Sequence, residues 1–378
     1  MKTLKDLDLK NKKVLIRVDF NVPLNDQKQV EDDTRIKAAL PTINYLLEQN
    51  CQVILISHLG RPKRNPDPEF SLKPIAKKLS ELINQEVDFI TDYIDQGLNS
   101  DKKIILLENI RFFKQEKEND PEFSKKLAEL GDVYVNDAFG TAHRAHASTE
   151  GLAKLLPHAA GLLLEKEIAT LTQVLENPEK PIVAIIGGAK ISTKIQLIKN
   201  LLPKVDYLLL GGALANTVLL AQDHKIGKSL VEKELAGTVK DLLANHLRIP
   251  VDLIVAKEIK EGAKTEIKAV GDVEDDDIIL DIGPDTVNLY SDLLKEAKTI
   301  IWNGPMGMFE IESFSKGTFG MAEAVARSSA YSIIGGGETV QALGVINKLN
   351  DVSFVSTGGG AMMEFLEGKE LPAIKALM

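Results

Sequence analysis

The stretch IIGGAKISTKIQ (185–196) decides how the rest of this 378-residue chain is read. The apolar run 182–186 predicts a buried parallel strand, two glycines break it, and Lys190 and Lys194 follow at i, i+4. In a helix beginning at that point both ammonium groups share one face. A strand, a glycine turn and a lysine-bearing helix start together form an anion site, because unpaired N–H groups and the helix dipole both favour negative charge. The phosphate-loop spacing GxxxxGK[ST] is absent: its nearest approach, Gly227-Lys228-Ser229, has Gln222 where the first glycine belongs. Taken alone, a surface lysine pair beside an ordinary βα turn explains the same residues. The sequence on either side decides between the two.

Working outward, apolar runs recur with helical patterns between them. Strands are predicted at 14–18, 53–56, 104–107 and 133–135, then at 182–186, 207–210, 253–255, 278–280, 300–302, 332–334 and 353–355. The segment 72–83 carries Leu72, Ile75, Ala76, Leu79, Leu82 and Ile83 on one stripe, with Ser71 as its predicted N-cap. Alternation of strand and helix implies α/β architecture, with parallel sheets covered on both faces. GLLLEKE (161–167) opens a long helical pattern that ends near Asn177-Pro178, where the character of the chain changes. It reads as an interdomain helix.

Nearly every early strand runs into polar residues: Asp19-Phe20-Asn21, Ser57-His58-Leu59-Gly60-Arg61, Glu108-Asn109-Ile110-Arg111, and Asn136-Asp137 on to His143-Arg144. Ligands of open parallel sheets bind beyond the carboxyl ends of the strands. Arg61, Arg111 and Arg144 are therefore expected to converge with His58 and Asn21 on one rim, joined by Arg35 after the acidic 31–33 segment. Six of the eight arginines, at 17, 35, 61, 64, 111 and 144, precede residue 150 in a chain of net charge −9. Guanidinium forks suit bidentate recognition of phosphate or carboxylate, so this imbalance points to a local anion pocket. Each arginine singly is explained as a solvated surface group. His143 and His146 at i, i+3 are a possible metal pair, but neighbouring Arg144 favours an anion there.

The later strands end in glycine clusters: Gly187-Gly188, Gly211-Gly212, Gly283-Pro284, Gly304-Pro305, Gly335-Gly336-Gly337 and Gly358-Gly359-Gly360. Glycine at a βα turn lets backbone approach a ligand closely, so the clusters together point to a nucleotide along a second rim. None fits GxGxxG, the fingerprint of a nicotinamide dinucleotide. Glu338 is the carboxylate set directly inside a glycine turn. It is either a hard oxygen ligand for Mg²⁺ or an acid placed to suit the helix dipole.

Composition bounds the reading. A 44% hydrophobic, 27% charged chain of this length is an ordinary globular protein with room for two domains. The start MKTLKDLDLK lacks the apolar core of a signal peptide, and no run reaches the length of a membrane span, so a cytoplasmic location is expected. Cys51, the one cysteine, excludes an internal disulfide and a cysteine-based zinc cluster. The acidic balance argues against nucleic acid or anionic membrane as partner.

RVDFNVPL (17–24), SHLGRP (57–62), ENIRF (108–112), NDAFGTAHRAHAST (136–149), IIGGAKISTKI (185–195), DIGP (281–284), WNGPMGMFE (302–310), GGGET (335–339) and STGGGAMMEFLEGKELP (356–372) resemble the phosphoglycerate kinase family across essentially the whole chain. The resemblance implies two doubly wound, Rossmann-like domains facing across a hinged cleft. A substrate domain would cover 1–164, rejoined by the tail 366–378, and a nucleotide domain 165–365. It implies reversible phosphoryl transfer from 1,3-bisphosphoglycerate to ADP, giving 3-phosphoglycerate and ATP, by a monomer using Mg²⁺. Matched word by word, the three-carbon acid falls on Asp19, Asn21, Arg35, His58, Leu59, Gly60, Arg61, Arg111 and Arg144. The nucleotide falls on Gly188, Lys190, Lys194, Gly211, Gly212, Asn303, Pro305, Glu310, with the ribose on Glu310, and on the turn Gly335, Gly336, Gly337, Glu338 and Thr339. Arg35, Lys190, Lys194 and the helix start at Gly358, Gly359 and Gly360 are implied as the catalytic groups.

Two words depart from the family pattern. Glu338 stands where Asp is usual, one methylene longer, which bears on whether the metal is met directly or through water. In Gly211-Gly212-Ala213-Leu214-Ala215 a methyl replaces bare backbone beside the base, so an altered adenine fit is expected. Two rival functions lie in other classes. A nicotinamide dehydrogenase leaves Lys190 and Lys194 unexplained, and a non-catalytic nucleotide-binding scaffold has no use for an arginine pocket.

Overall fold

The computed structural model describes residues 1–63, 66–242 and 246–378, so Arg64 lies outside the described residues. The chain divides into two compact units, Met1–Thr170 with Glu370–Met378, and Leu171–Lys369. The long helix Leu162–Glu176 carries the boundary.

The first unit is built on β1 (Lys13–Arg17), β2 (Gln52–Ile56), β3 (Asp88–Ile90), β4 (Ile104–Leu107), β5 (Val133–Asn136) and β6 (His158–Ala160). They form one sheet in the order β3-β4-β2-β1-β5-β6, with every pairing parallel. β4 is buried along its whole length, as an apolar run without alternation requires when helices cover both faces. Val14, Ile16, Val53, Leu55, Ile104, Leu106, Val133 and Val135 form one layer of the core against Ile36, Ile43 and Leu46 of one helix and Ile75 and Leu79 of another.

The second unit repeats the plan with β7 (Ile182–Ile186), β8 (Tyr207–Leu210), β9 (Leu247–Arg248), β13 (Thr299–Asn303), β14 (Tyr331–Gly335) and β15 (Phe354–Val355), in the order β15-β14-β13-β7-β8-β9, again all parallel. Its core sets Val183, Ile185, Ile300 and Trp302 against Tyr290, Leu294, Met321 and Val325. The strands predicted at 253–255 and 278–280 do not join this sheet. As β10 (Asp252–Ala256) and β12 (Ile278–Ile282) they belong to a separate antiparallel sheet, ordered β11-β10-β12, with β10 at its centre and β11 (Thr265–Ala269) at one edge. The expectation of parallel sheets alone is corrected accordingly, and Gly283-Pro284 ends an antiparallel strand. Short or exposed strands such as β3, β9 and β11 carry too little apolar pattern to be read from sequence.

Carboxylates at strand ends cap helices that begin far away in the chain. Glu108 accepts from Leu72 N at 2.8 Å and from Ser71 Oγ at 2.7 Å, so the helix Lys73–Ile83 is capped at Leu72 and not by Ser71 as predicted. Asp252 accepts from Asp285 N and Thr286 N, at 3.0 and 2.7 Å, at the head of the helix Pro284–Glu296. Asp281 accepts from Gly317 N at 2.5 Å, at the head of Lys316–Arg327. Asp137 accepts from Leu163 N and Leu164 N, at 2.9 and 3.2 Å, at the start of the boundary helix. Each cap satisfies N–H groups that the helix itself leaves open.

Asp137 is fully buried, and burial raises its carboxyl to about 6 from an ordinary 3.8. Between those values the folded protein holds a proton that the unfolded chain releases, so this group makes stability fall as pH rises through that window. Asp137→Asn is expected to flatten that part of the stability–pH curve with little loss at neutral pH, and Asp137→Ala to cost about 1–2 kcal/mol through the lost cap. Denaturant titrations from pH 4 to 7 check both; an unchanged slope in the asparagine variant contradicts the assignment.

Candidate functional site

In the first unit the residues after β1, β2, β4 and β5 meet in one cationic cluster. Arg35 Nη1 donates to Asp19 Oδ2 at 2.6 Å, and Asp19 Oδ1 accepts from Asn21 N at 3.3 Å. Asn21 Oδ1 accepts from Gly60 N at 2.8 Å, and Arg111 Nη1 donates to the Gly60 carbonyl at 2.6 Å. Asn109 prepares that contact: its Nδ2 donates to the Leu59 and Phe70 carbonyls and its Oδ1 accepts from Arg111 N. Arg144 Nε donates to His143 Nε2 at 3.1 Å.

Asp19 and buried Glu116 offset only part of this positive charge. His58 is 4% exposed, and its pKa is pushed well below 6.5 by burial and then by Arg17, Arg111, Arg144 and Arg35. Burial likewise lowers Arg111 to about 10, with Arg144 and Arg17 adding to the effect. His143 falls to about 4 through burial and then Arg144. Guanidinium groups that crowd buried His58 and Arg111 and disfavour their protonation suit an anionic ligand. Of the residues expected here, Asp19, Asn21, Arg35, His58, Leu59, Gly60, Arg111 and Arg144 are brought together. Arg61 is exposed and enters none of these contacts. His143 meets Arg144 while His146 Nδ1 lies 3.6 Å from Glu116 Oε1, so that pair is turned toward separate partners.

Arg17, counted in the arginine-rich first half but not among the residues expected on the rim, also belongs to the cluster. It is 1% exposed, a burial not readable from a strand-end position, and its guanidinium reaches Ser148 Oγ, the Val18 carbonyl and His58 Nδ1.

In the second unit Lys190 and Lys194 do not share a helix face. A 3₁₀ turn, Ile191–Thr193, intervenes, and the α-helix begins only at Ile195. Lys190 is consequently exposed, while Lys194 is buried and donates from Nζ to Asn303 Oδ1 at 2.5 Å and to the Asn303 carbonyl at 3.2 Å. Burial lowers the Lys194 ammonium to about 8, against a smaller raising effect of Glu338. Asn303 Nδ2 donates to the Gly335 carbonyl, and Thr339 Oγ1 accepts from Gly304 N, which ties the glycine turns to one another.

The close approach at these turns explains the glycines. Gly304 has φ +94°, and a Cβ there would stand 2.6 Å from Lys194 Nζ. Gly212 has φ +67°, and a Cβ would stand 2.7 Å from Gly188 N. Gly211 is the N-cap of the helix Gly212–Ala221, and Gly358 that of Gly359–Leu366, whose Gly359 and Gly360 open the helix. Gly337 and Glu338 open the helix Gly337–Val345, and Gly359 lies against Gly336.

Beside the turns lies a cavity of about 570 Å³ bordered by Gly188, Gly212, Ala213, Pro305, Glu310 and Glu338. Its apolar wall comes from the antiparallel sheet and its surroundings, including Leu253, Ile279 and Met308. Sequence reading missed that wall, because such residues look like ordinary core. A cavity with a small polar edge and a broad apolar wall suits a planar base attached to a charged tail.

One exposed carboxylate beside a lysine fits Mg²⁺, which keeps most of its waters and takes one or two carboxylates together with substrate phosphates. The acidic trio Glu274, Asp276 and Asp277 is already paired with Lys257 and Lys268. No helix among the described residues is long and apolar enough to cross a membrane.

Comparison with known proteins places the chain in a family. The chain is 49% identical to the phosphoglycerate kinase of Finegoldia magna, covering 100% of this chain and 98% of that one. It is 52% identical to that of Herpetosiphon aurantiacus, over 99% and 98%. The solved structure of phosphoglycerate kinase from Coxiella burnetii superposes with a TM-score of 0.90 at 48% identity, covering 99% of this chain and 98% of the other. That from Pyrococcus horikoshii gives 0.85 at 33% identity, covering 100% and 98%. The model of the family described as phosphoglycerate kinase matches residues 4–369, and the chain belongs to that family.

Proposed function

We propose that the cationic cluster of the first unit takes 3-phosphoglycerate or 1,3-bisphosphoglycerate, and that the glycine-lined rim of the second takes ADP or ATP with Mg²⁺. The chain is a kinase of glycolysis that transfers a phosphoryl group between an acyl phosphate and ADP. The observation that supports the site assignment is the convergence of Arg17, Arg35, Arg111 and Arg144 on His58, an excess of cations over Asp19 and Glu116, together with a buried Lys194 among glycine turns.

In the direction of ATP formation, a β-phosphate oxygen of ADP attacks the acyl phosphorus, a new P–O bond forms, and the bond to the carboxylate breaks. Attacking and departing oxygens are both anionic near neutral pH, so no proton need be removed or supplied. The requirement is alignment and neutralisation of the moving charge. Arg35 is oriented for this by Asp19. Lys194 is held retracted on Asn303, ready to exchange that partner for a phosphate oxygen. The open N–H groups at the start of Gly359–Leu366 offer further donors, and exposed Lys190 screens the tail. Glu338 would hold the Mg²⁺ that neutralises the nucleotide phosphates when bound. Glu310, exposed on the cavity edge, is assigned to the ribose hydroxyls. No specific observation favours the non-catalytic scaffold.

A coupled assay of ATP formation, with and without Mg²⁺, tests the reading. Arg35→Ala and Lys194→Ala are each expected to lose on the order of 10²–10³ in kcat while remaining folded. Near-normal kcat in either variant removes that residue from the mechanism.

The lowered pKa of Lys194 gives a second expectation. Phosphate contact needs the ammonium form, which the free protein loses as pH rises through about 8. Calorimetric affinity for Mg-ADP is expected to weaken between pH 8 and 9, by up to about tenfold per unit, and to stay level below that. Lys194→Ala binds more weakly with no such pH dependence; a parent curve that is flat through pH 9 contradicts the assignment.

A further inference from the structure

One buried chain of polar groups in the first unit has its donors and acceptors fixed in a single order. Glu116, fully buried in the short helix Lys114–Glu118, accepts from Ser148 N at 2.9 Å and from Ser148 Oγ at 2.7 Å. Ser148 Oγ in turn accepts from Arg17 Nε at 2.9 Å. Arg17 Nη1 donates to the Val18 carbonyl, and Nη2 lies 3.1 Å from His58 Nδ1. Glu116, Ser148 and Arg17 are all fully or almost fully buried, and four separate segments of the unit supply the chain.

A guanidinium has only protons to give. At the Arg17–His58 contact the ring nitrogen must therefore accept, so Nδ1 carries no proton and the neutral ring holds its proton on Nε2. The hydroxyl proton of Ser148 cannot be shared with Arg17 for the same reason, and it goes to the carboxylate. Glu116 stays ionised: burial would raise its pKa, but His146, Arg17 and Ser148 together lower it. Without a buried carboxylate at the far end, Ser148 is free to turn and Arg17 loses the anchor on its Nε side.

Resting on the reading that this cluster takes the three-carbon phosphate, we propose that Glu116 is a positioning residue that acts through Ser148 and Arg17 to fix His58 as its Nε2–H tautomer, a neutral donor for that anionic substrate. Glu116 touches no substrate in this scheme. It sets the direction of a hydrogen-bond relay that ends at a residue that does.

Two variants separate this role from simple packing. Ser148→Ala removes the bridge and keeps both charges, and Glu116→Gln removes the charge and keeps the shape. Long-range ¹H–¹⁵N spectra of the histidine rings at neutral pH report the His58 tautomer, and steady-state kinetics report KM for each substrate. In the parent, His58 is expected to show the pure Nε2–H pattern. In both folded variants it is expected to shift toward a mixture, with KM for 3-phosphoglycerate rising about tenfold while KM for ATP holds, a change equivalent to about 1.4 kcal/mol. A His58 ring that keeps its Nε2–H pattern in both variants overturns the relay. A changed ring pattern with unchanged KM for 3-phosphoglycerate upholds the relay and counts against the substrate assignment of this cluster.

Discussion

Positive charge that is buried before its partner arrives is the constraint on which this structure depends. Taking cations out of water disfavours the charged form, and each neighbouring cation adds to the penalty. The first unit meets the difficulty by keeping His58 and His143 neutral and by giving Arg35 and Arg17 short internal partners. The second meets it by lowering the proton affinity of Lys194 and lodging its ammonium on Asn303. On the proposed reading, an incoming phosphate would relieve the penalty in both places.

That arrangement requires loops that do not yield. The strand-end carboxylates Glu108, Asp137, Asp252 and Asp281 supply the rigidity by capping helices remote in sequence. Asn109 does the equivalent for the Arg111 loop, with all its side-chain bonds made to backbone. Glycines complete the plan in the second unit, where Gly304, at positive φ, packs so tightly on the Gly187 backbone that no side chain fits. Rigid elements carry the loops, and the loops carry the chemistry.

Much of this was legible in the sequence, and what was not has a physical cause. Long apolar runs fixed the central strands, and polar or glycine residues at their ends marked both rims. The antiparallel sheet escaped notice because the runs at 253–255 and 278–280 look the same in either orientation. The shared helix face for Lys190 and Lys194 failed because a spacing of four presupposes helix, and the backbone makes a 3₁₀ turn first. The burial of Arg17 and Glu116 was illegible for a deeper reason: a charged residue in a sequence reads as exposed, and only tertiary contacts show that these two are buried. Glu108 and Asp137 misled in the opposite way, since both lie on the rim in sequence but are used up on helix starts.

On the proposed function, phosphoryl transfer needs neutralisation of the moving charge and no proton acceptor. The solvent deuterium isotope effect on ATP formation in a single turnover tests this most directly. An effect near unity is expected, because no proton is in flight when the phosphorus changes partners. A full proton-transfer effect on that step would contradict it.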